Sequence, residues 1–202
     1  MKTRFAPIPI ALLLVVLPAV VQASDNQLGL FYDDAASVDE IEVAPNSVHN
    51  LYLVLINPVN TEFDGSSTRD VSYVWGFECA IEAPSGDALL GVAFPTDAIN
   101  LGTADNIVAG YAAAIAVSAG RTATLATFNV LTAGNNPEGY RLSPASPASH
   151  ANTMAYVDYE DPDDPIVDMG PVSGSYDRPV FTFGDYTIER HLEWGGVKSL
   201  FR

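Results

Sequence analysis

Cysteine is nearly absent from this chain of 202 residues, in which Cys79 is the only one. A single thiol cannot form an intramolecular disulfide, so the hydrophobic core must hold the fold by itself. The chain is long enough for this, because a domain of about 150 residues buries roughly 70% of its unfolded surface. We therefore expect one domain.

Positive charge is also scarce. The chain has nine Lys and Arg residues against 25 Asp and Glu residues. Two of the nine, Lys2 and Arg4, belong to the N-terminal segment described next, and without them the net charge is 7 − 25 = −18. Such a charge repels phosphate backbones and anionic lipid headgroups, so we expect neither nucleic acid nor a membrane surface as a partner. The charge either keeps the protein soluble or concentrates cations.

A long apolar run occurs once, from Phe5 to Val21, directly after Lys2 and Arg4. Small residues, Val21 at the end of the run and Ala23, lie three positions and one position before Ser24. This order is typical of a secretory signal peptide, here residues 1–23. The run contains prolines and is short for a bilayer span of roughly 20 residues. We expect a secreted, periplasmic or cell-surface protein with no membrane span.

Catalytic motifs are missing as well. No serine lies in a Gly-x-Ser-x-Gly turn, and the three histidines, His49, His150 and His191, are far apart along the chain. Cys79 lies in an apolar alternation, which favours a small buried hydrophobic residue over a reactive thiol. A glycosidase needs only two facing carboxylates, and the sequence does not select a pair among 25. A secreted hydrolase therefore remains an alternative.

The pattern that dominates the sequence is that of β-strands. From Val71 to Ile81 the odd positions are apolar or aromatic, including Tyr73, Trp75 and Phe77, which predicts that they share one buried face. The segment Leu51–Ile56 is apolar on both faces, as in a central strand. Further predicted strands are Gly29–Tyr32, Val38–Val43, Leu89–Phe94, Ile107–Ala112, Ala123–Leu131, Tyr140–Leu142, Met154–Asp158 and Pro179–Phe183.

Turn residues separate these short strands, and hardly any helical periodicity is present. The spacing predicts an all-β fold, a single antiparallel β-sandwich of about nine strands over residues 24–186. The alanine-rich segment Ala109–Ala119 is compatible with a helical turn, but its neighbours favour strand or loop.

An acidic run lies near the end of this predicted domain. Calcium takes six to eight oxygen ligands, and a loop stiffened by proline can supply several of them. The order of an EF-hand loop is absent, so the alternative is a solvated loop. The candidate calcium ligands are Asp158, Glu160, Asp161, Asp163, Asp164 and Asp168.

The composition changes again in the last residues, 187–202, which hold three of the seven basic residues of the processed chain. Trp194, Val197, Leu200 and Phe201 lie on one stripe at helical spacing. This predicts a C-terminal tail that either forms a short docking helix or covers the edge of the sandwich with its aromatic residues.

Several segments resemble known exported modules. Leu51–Asn57, Val74–Ile81 and Ala123–Val130 resemble core strands of cohesin-like and immunoglobulin-like sandwiches of the jelly-roll kind. The two ends, Gly29–Asp33 and Trp194–Arg202, resemble a group of uncharacterised exported bacterial proteins that finish with Trp-Gly-x-x-Lys-x-x-Phe/Tyr-Arg. The resemblance implies export and a sandwich fold, and it implies no activity.

These observations together favour a non-enzymatic function. We expect a secreted binding or scaffold module that needs no cofactor, apart from the calcium considered above, and whose partner is an extracellular protein or a glycan. The alternatives are the secreted hydrolase with a glycosidase-like carboxylate pair and a structural protein of the cell envelope.

Overall fold

The computed structural model describes residues 24–61, 67–150, 152–163 and 165–184. The predicted signal peptide, Asp164 and the tail at 187–202 lie outside these residues. Within the described ranges no residue is helical, and no helix long and apolar enough to cross a membrane is found there.

Fourteen strands follow one another along the described chain, which confirms the all-β prediction. They are β1 (Gln27–Phe31), β2 (Glu40–Ile41), β3 (Ser47–Ile56), β4 (Val59–Thr61), β5 (Thr68–Asp70), β6 (Tyr73–Glu82), β7 (Ala88–Ala93), β8 (Ala98–Asn100), β9 (Asn106–Ala116), β10 (Thr122–Thr132), β11 (Asn136–Ser143), β12 (Met154–Asp158), β13 (Ile166–Pro171) and β14 (Phe181–Phe183). The number exceeds the expected nine mainly because of β4, β5 and β8, which have three residues each and no predicted counterpart. Such pieces are too short to show a period of two.

One continuous ladder runs in the order β8-β9-β6-β12-β13-β1-β3-β10-β7. Most pairings are antiparallel, but β1 pairs with β13 and β2 with β14 in parallel. The ladder folds over on itself, so that β9 and β10 come into contact. Tyr111 Oη in β9 donates a hydrogen bond of 2.6 Å to the Leu125 carbonyl in β10. The result is a sandwich whose two layers meet along β13 and β1.

The core lies between these layers. Central strand β3 pairs with β1 on one side and β10 on the other, as its two apolar faces predict. Tyr140, Phe181 and Phe183 form an aromatic group in this core, with ring centroids 5.0 to 6.1 Å apart. The alanine-rich segment is strand β9, which confirms strand over helix.

Strand β6 contains an irregularity that the alternation does not predict. Its register shifts between Val74 and Gly76 against both neighbouring strands. As a consequence Val74 and Phe77 both face the core, whereas Trp75 is 48% exposed. The expectation that Tyr73 and Trp75 are buried with Phe77 is therefore wrong, because a β-bulge inverts the alternation at this point.

Candidate functional site

A row of small and apolar residues crosses the outer face of one layer. Ile99 in β8 pairs with Gly110 in β9, Gly110 with Gly76 in β6, and Gly76 with Val157 in β12. Val157 in turn pairs with Ile166 in β13. Two adjacent glycines lie in the middle of this row and carry no side chains. The sheet therefore has a trough there, walled by β8 on one side and β12 on the other.

The trough has a volume of about 560 Å³, which lies within the usual 300–1,000 Å³ of ligand sites. It is lined by Trp75, Gly76, Asp97, Ala98, Ile99, Leu101, Val108, Ala109, Gly110, Tyr111, Ala112 and Val157. Asp97 is the single charged residue in this set. A pair of carboxylates suited to glycoside hydrolysis is therefore missing among the described lining residues.

The two glycines of the floor are needed for different reasons. A Cβ on Gly76 would come within 2.6 Å of the Ala109 carbonyl oxygen, so the close approach of β6 and β9 requires glycine there. A Cβ on Gly110 would meet nothing within 4 Å. Gly110 therefore leaves space that the fold does not need, and that space is the trough.

Exposed aromatic rings border one end of the trough. Trp75 and Tyr159 contact each other edge to face, with centroids 5.2 Å apart, and Tyr73 lies 6.4 Å from Tyr159. On the opposite wall Ile99 and Leu101 are 71% and 82% exposed. Single exposed apolar residues are ordinary, but a contiguous set beside a groove is typical of an interaction surface.

The acidic run begins beside these rings and is held by an arginine. Arg69 of β5 forms a close ion pair with buried Asp158 and lies 3.6 Å from Glu160 and 3.9 Å from Asp161. Asn60 Nδ2 donates hydrogen bonds to Asp158 at 3.0 Å and to Asp161 at 3.2 Å. An internal cation thus offsets the repulsion among these three carboxylates.

The other predicted calcium ligands lie apart from this group. Asp168 accepts a hydrogen bond of 2.7 Å from Thr153 Oγ1 and lies 3.2 Å from His150 Nε2, while Asp163 is exposed. Asp164 is outside the described residues. Among those that are described, no three His, Cys, Asp or Glu side chains are placed to hold a metal ion. Calcium at this run stays a prediction, which thermal unfolding in calcium, magnesium and chelator would check.

Glu78 is a buried carboxylate that the sequence did not single out. Its side chain points to the outer face but is only 3% exposed, because the loop that carries Ser149 and His150 covers it. The backbone N–H groups of these two residues donate to the carboxylate at 3.0 and 3.2 Å. It borders a cavity of about 90 Å³ next to the trough. Glu78 anchors the loop before β12.

Two groups that resemble catalytic residues are not activated. Tyr32 Oη lies 3.2 Å from His49 Nδ1, and Ser47 Oγ lies 2.7 Å from His49 Nε2. Because Ser47 Oγ donates to the Ala44 carbonyl, it accepts from His49, which cannot then take its proton. Cys79 is fully buried, and burial raises its thiol pKa. Neither group has the arrangement of an activated nucleophile.

Sequence reasoning missed the trough, although it had a detectable cue. Isolated glycines inside strand patterns mark bulges or close backbone approach, and Gly76 and Gly110 both lie in predicted strands. What the sequence does not state is that the two are cross-strand partners.

Comparisons with protein-family models, with curated proteins and with solved structures find no match to this chain.

Proposed function

We propose that the processed chain is a secreted or periplasmic, non-catalytic binding or scaffold module, and that the trough is its binding site. The observation that carries this proposal is the glycine-floored trough with Trp75 and Tyr159 at one end. Placement of the fold among cohesin-like or immunoglobulin-like modules is part of the same proposal, as is export after cleavage before Ser24.

The composition of the trough supports binding over hydrolysis. Aromatic side chains supply large contact areas with little conformational entropy to lose, and they are enriched where binding energy concentrates. Asp97 is the single charged side chain among the described lining residues, so the trough has one carboxylate and not the pair that glycoside hydrolysis uses. The net charge of the processed chain, 7 − 25 = −18, makes nucleic acid an unfavourable partner. An extracellular protein or a glycan remains the expected partner class.

The test is a binding screen of the chain from residue 24 to residue 202 against a glycan array and extracellular protein fractions. Each binder is measured again with Gly110→Val, which places a branched side chain on the floor of the trough, and with Gly91→Val as the matched control. Gly91 lies in β7 on the other layer, and a Cβ there also meets nothing within 4 Å. Both variants place valine, which strands favour, in open space.

We expect Gly110→Val to abolish binding and Gly91→Val to leave it intact. A binder that is insensitive to Gly110→Val would show that the trough is not the site. A glycan that the wild-type protein cleaves would support the hydrolase instead.

A further inference from the structure

We infer that the trough binds the segment Trp194–Arg202 of a second copy of this chain. This inference rests on the proposed function, because it assigns an occupant to the same site. The geometry would produce a head-to-tail contact, in which the surface patches on the two copies differ.

The chemistry of the segment complements that of the trough. These nine residues contain Trp194, Val197, Leu200 and Phe201, together with Lys198 and Arg202, and no acidic residue. By contrast, residues 24–184 hold 22 acidic and four basic residues. A segment that combines large apolar side chains with positive charge is what an apolar trough in an acidic surface attracts.

One carboxylate lines the trough and another lies next to the aromatic cluster at its end. Asp97 lines it and is exposed, and Glu160 follows directly after Tyr159 in the aromatic cluster. Apolar side chains of the segment would fill the space above Gly76 and Gly110, and Lys198 and Arg202 would lie close to these carboxylates. A glycan is less favoured, because its hydroxyl groups need several polar partners and the lining offers one charged side chain.

The position of the chain exit favours a second copy over the same copy. The path from the trough to the chain exit can be followed along two paired strands. Gly76 and Glu82 are six residues apart along β6, and Arg141 in β11 lies opposite Glu82. Five further residues along β11 lead to Asn136, which lies opposite Phe183 in β14. At about 3.3 Å per residue, and with the register irregularity between Tyr140 and Asn136 that shortens β11, the exit at Gly184 is roughly 30–35 Å from the trough.

Trp194 is ten residues beyond Gly184, and a fully extended chain of ten residues spans about 35 Å at most. Docking of Trp194 in its own trough would therefore need a taut path around the molecule. A second copy has no such constraint. The trough and the exit lie at opposite ends of β6, so each copy can offer its trough to one neighbour and its tail to another.

The experiment is sedimentation velocity of the chain from residue 24 to residue 202, from micromolar to near-millimolar concentration. We expect the wild type and Gly91→Val to associate with increasing concentration. Gly110→Val, which blocks the trough, and the double variant Trp194→Ala with Phe201→Ala, which removes the tail anchors, should each remain monomeric.

A mixture of the two monomeric variants provides the decisive arm. One variant keeps an intact tail and the other keeps an intact trough, so the mixture should form heterodimers and nothing larger. A wild-type chain that stays monomeric at every concentration overturns the inference, and so does an association that Gly110→Val leaves unchanged. A monomer that binds a glycan or protein in a manner sensitive to Gly110→Val also overturns it, while leaving the proposed function intact.

Discussion

Arg69 and Arg121 carry the same charge but stand in different environments. The carboxylate paired with Arg69, that of Asp158, is fully buried, while Arg69 itself is 22% exposed. Arg121 pairs with Asp70 at 2.7 Å, and these side chains are 42% and 73% exposed. Removing one partner of a buried pair leaves an uncompensated charge, whereas exposed pairs contribute little.

Arg69→Gln should therefore lower the free energy of unfolding by about 3–5 kcal/mol. Arg121→Gln is the matched control and should change it by about 1 kcal/mol or less. Urea unfolding of both variants measures the difference. Equal effects would mean that Arg69 does not hold the acidic run in the folded protein.

Three buried tyrosines should set the alkaline limit of stability. Burial raises the pKa of Tyr111, Tyr140 and Tyr156 above the ordinary value. Below about pH 10 tyrosine is protonated in the unfolded chain too, so the full stability is present. Above that pH the unfolded chain loses protons that the folded protein retains, and stability falls by about 1.4 kcal/mol per tyrosine per pH unit.

Urea unfolding between pH 8 and pH 11 measures this decline. Tyr140→Phe should make it less steep, since one of the three groups no longer titrates. The Asp87 carboxylate that accepts from Tyr140 Oη keeps a second hydrogen bond, from Ala133 N at 2.8 Å. An unchanged slope in the variant would show that Tyr140 does not contribute.

At the scale of the strand, β6 shows how far the sequence pattern reaches. The alternation correctly predicts Phe77, Cys79 and Ile81 as buried, with at most 4% exposure. It fails for Tyr73 and Trp75, because the bulge reverses the side chains at the start of β6 relative to Phe77. The bulge depends on pairing with β9 and β12, which are distant in sequence, so no local pattern contains it.

The bulge predicts unequal costs for two aromatic residues on this strand. Phe77→Ala should destabilise the fold by about 3–5 kcal/mol, because it empties a core position. Trp75→Ala should cost about 1 kcal/mol, mainly from its edge contact with Tyr159. Thermal or urea unfolding measures both. Similar costs for the two would contradict the exposed position of Trp75.

Other elements were predictable to different degrees. The central position of β3 follows from its two apolar faces, whereas β4, β5 and β8 each have three residues and no readable period. Strand β13 does alternate, with Val167 and Met169 buried between exposed neighbours. It was not among the predicted strands, although its alternation is readable in the sequence.

At the scale of the molecule, the trough arises only when four strands lie side by side. Ile99 and Val157 are 58 residues apart in sequence, and strand pairing places them on the two walls of one trough. The acidic surface and the apolar, basic tail are visible in the sequence alone. The proposed site depends on the fold, which exposes Trp75 and leaves the floor of the trough without side chains.

Fluorine NMR of Trp75 tests the trough most directly. The chain from residue 24 to residue 202 with Trp194→Phe has Trp75 as its single tryptophan, which can be replaced by fluorotryptophan. On titration with a synthetic peptide of residues 187–202, we expect a saturable shift of this resonance, retained in Gly91→Val and lost in Gly110→Val. A resonance that does not move, or that moves equally in Gly110→Val, would contradict binding of this segment in the trough.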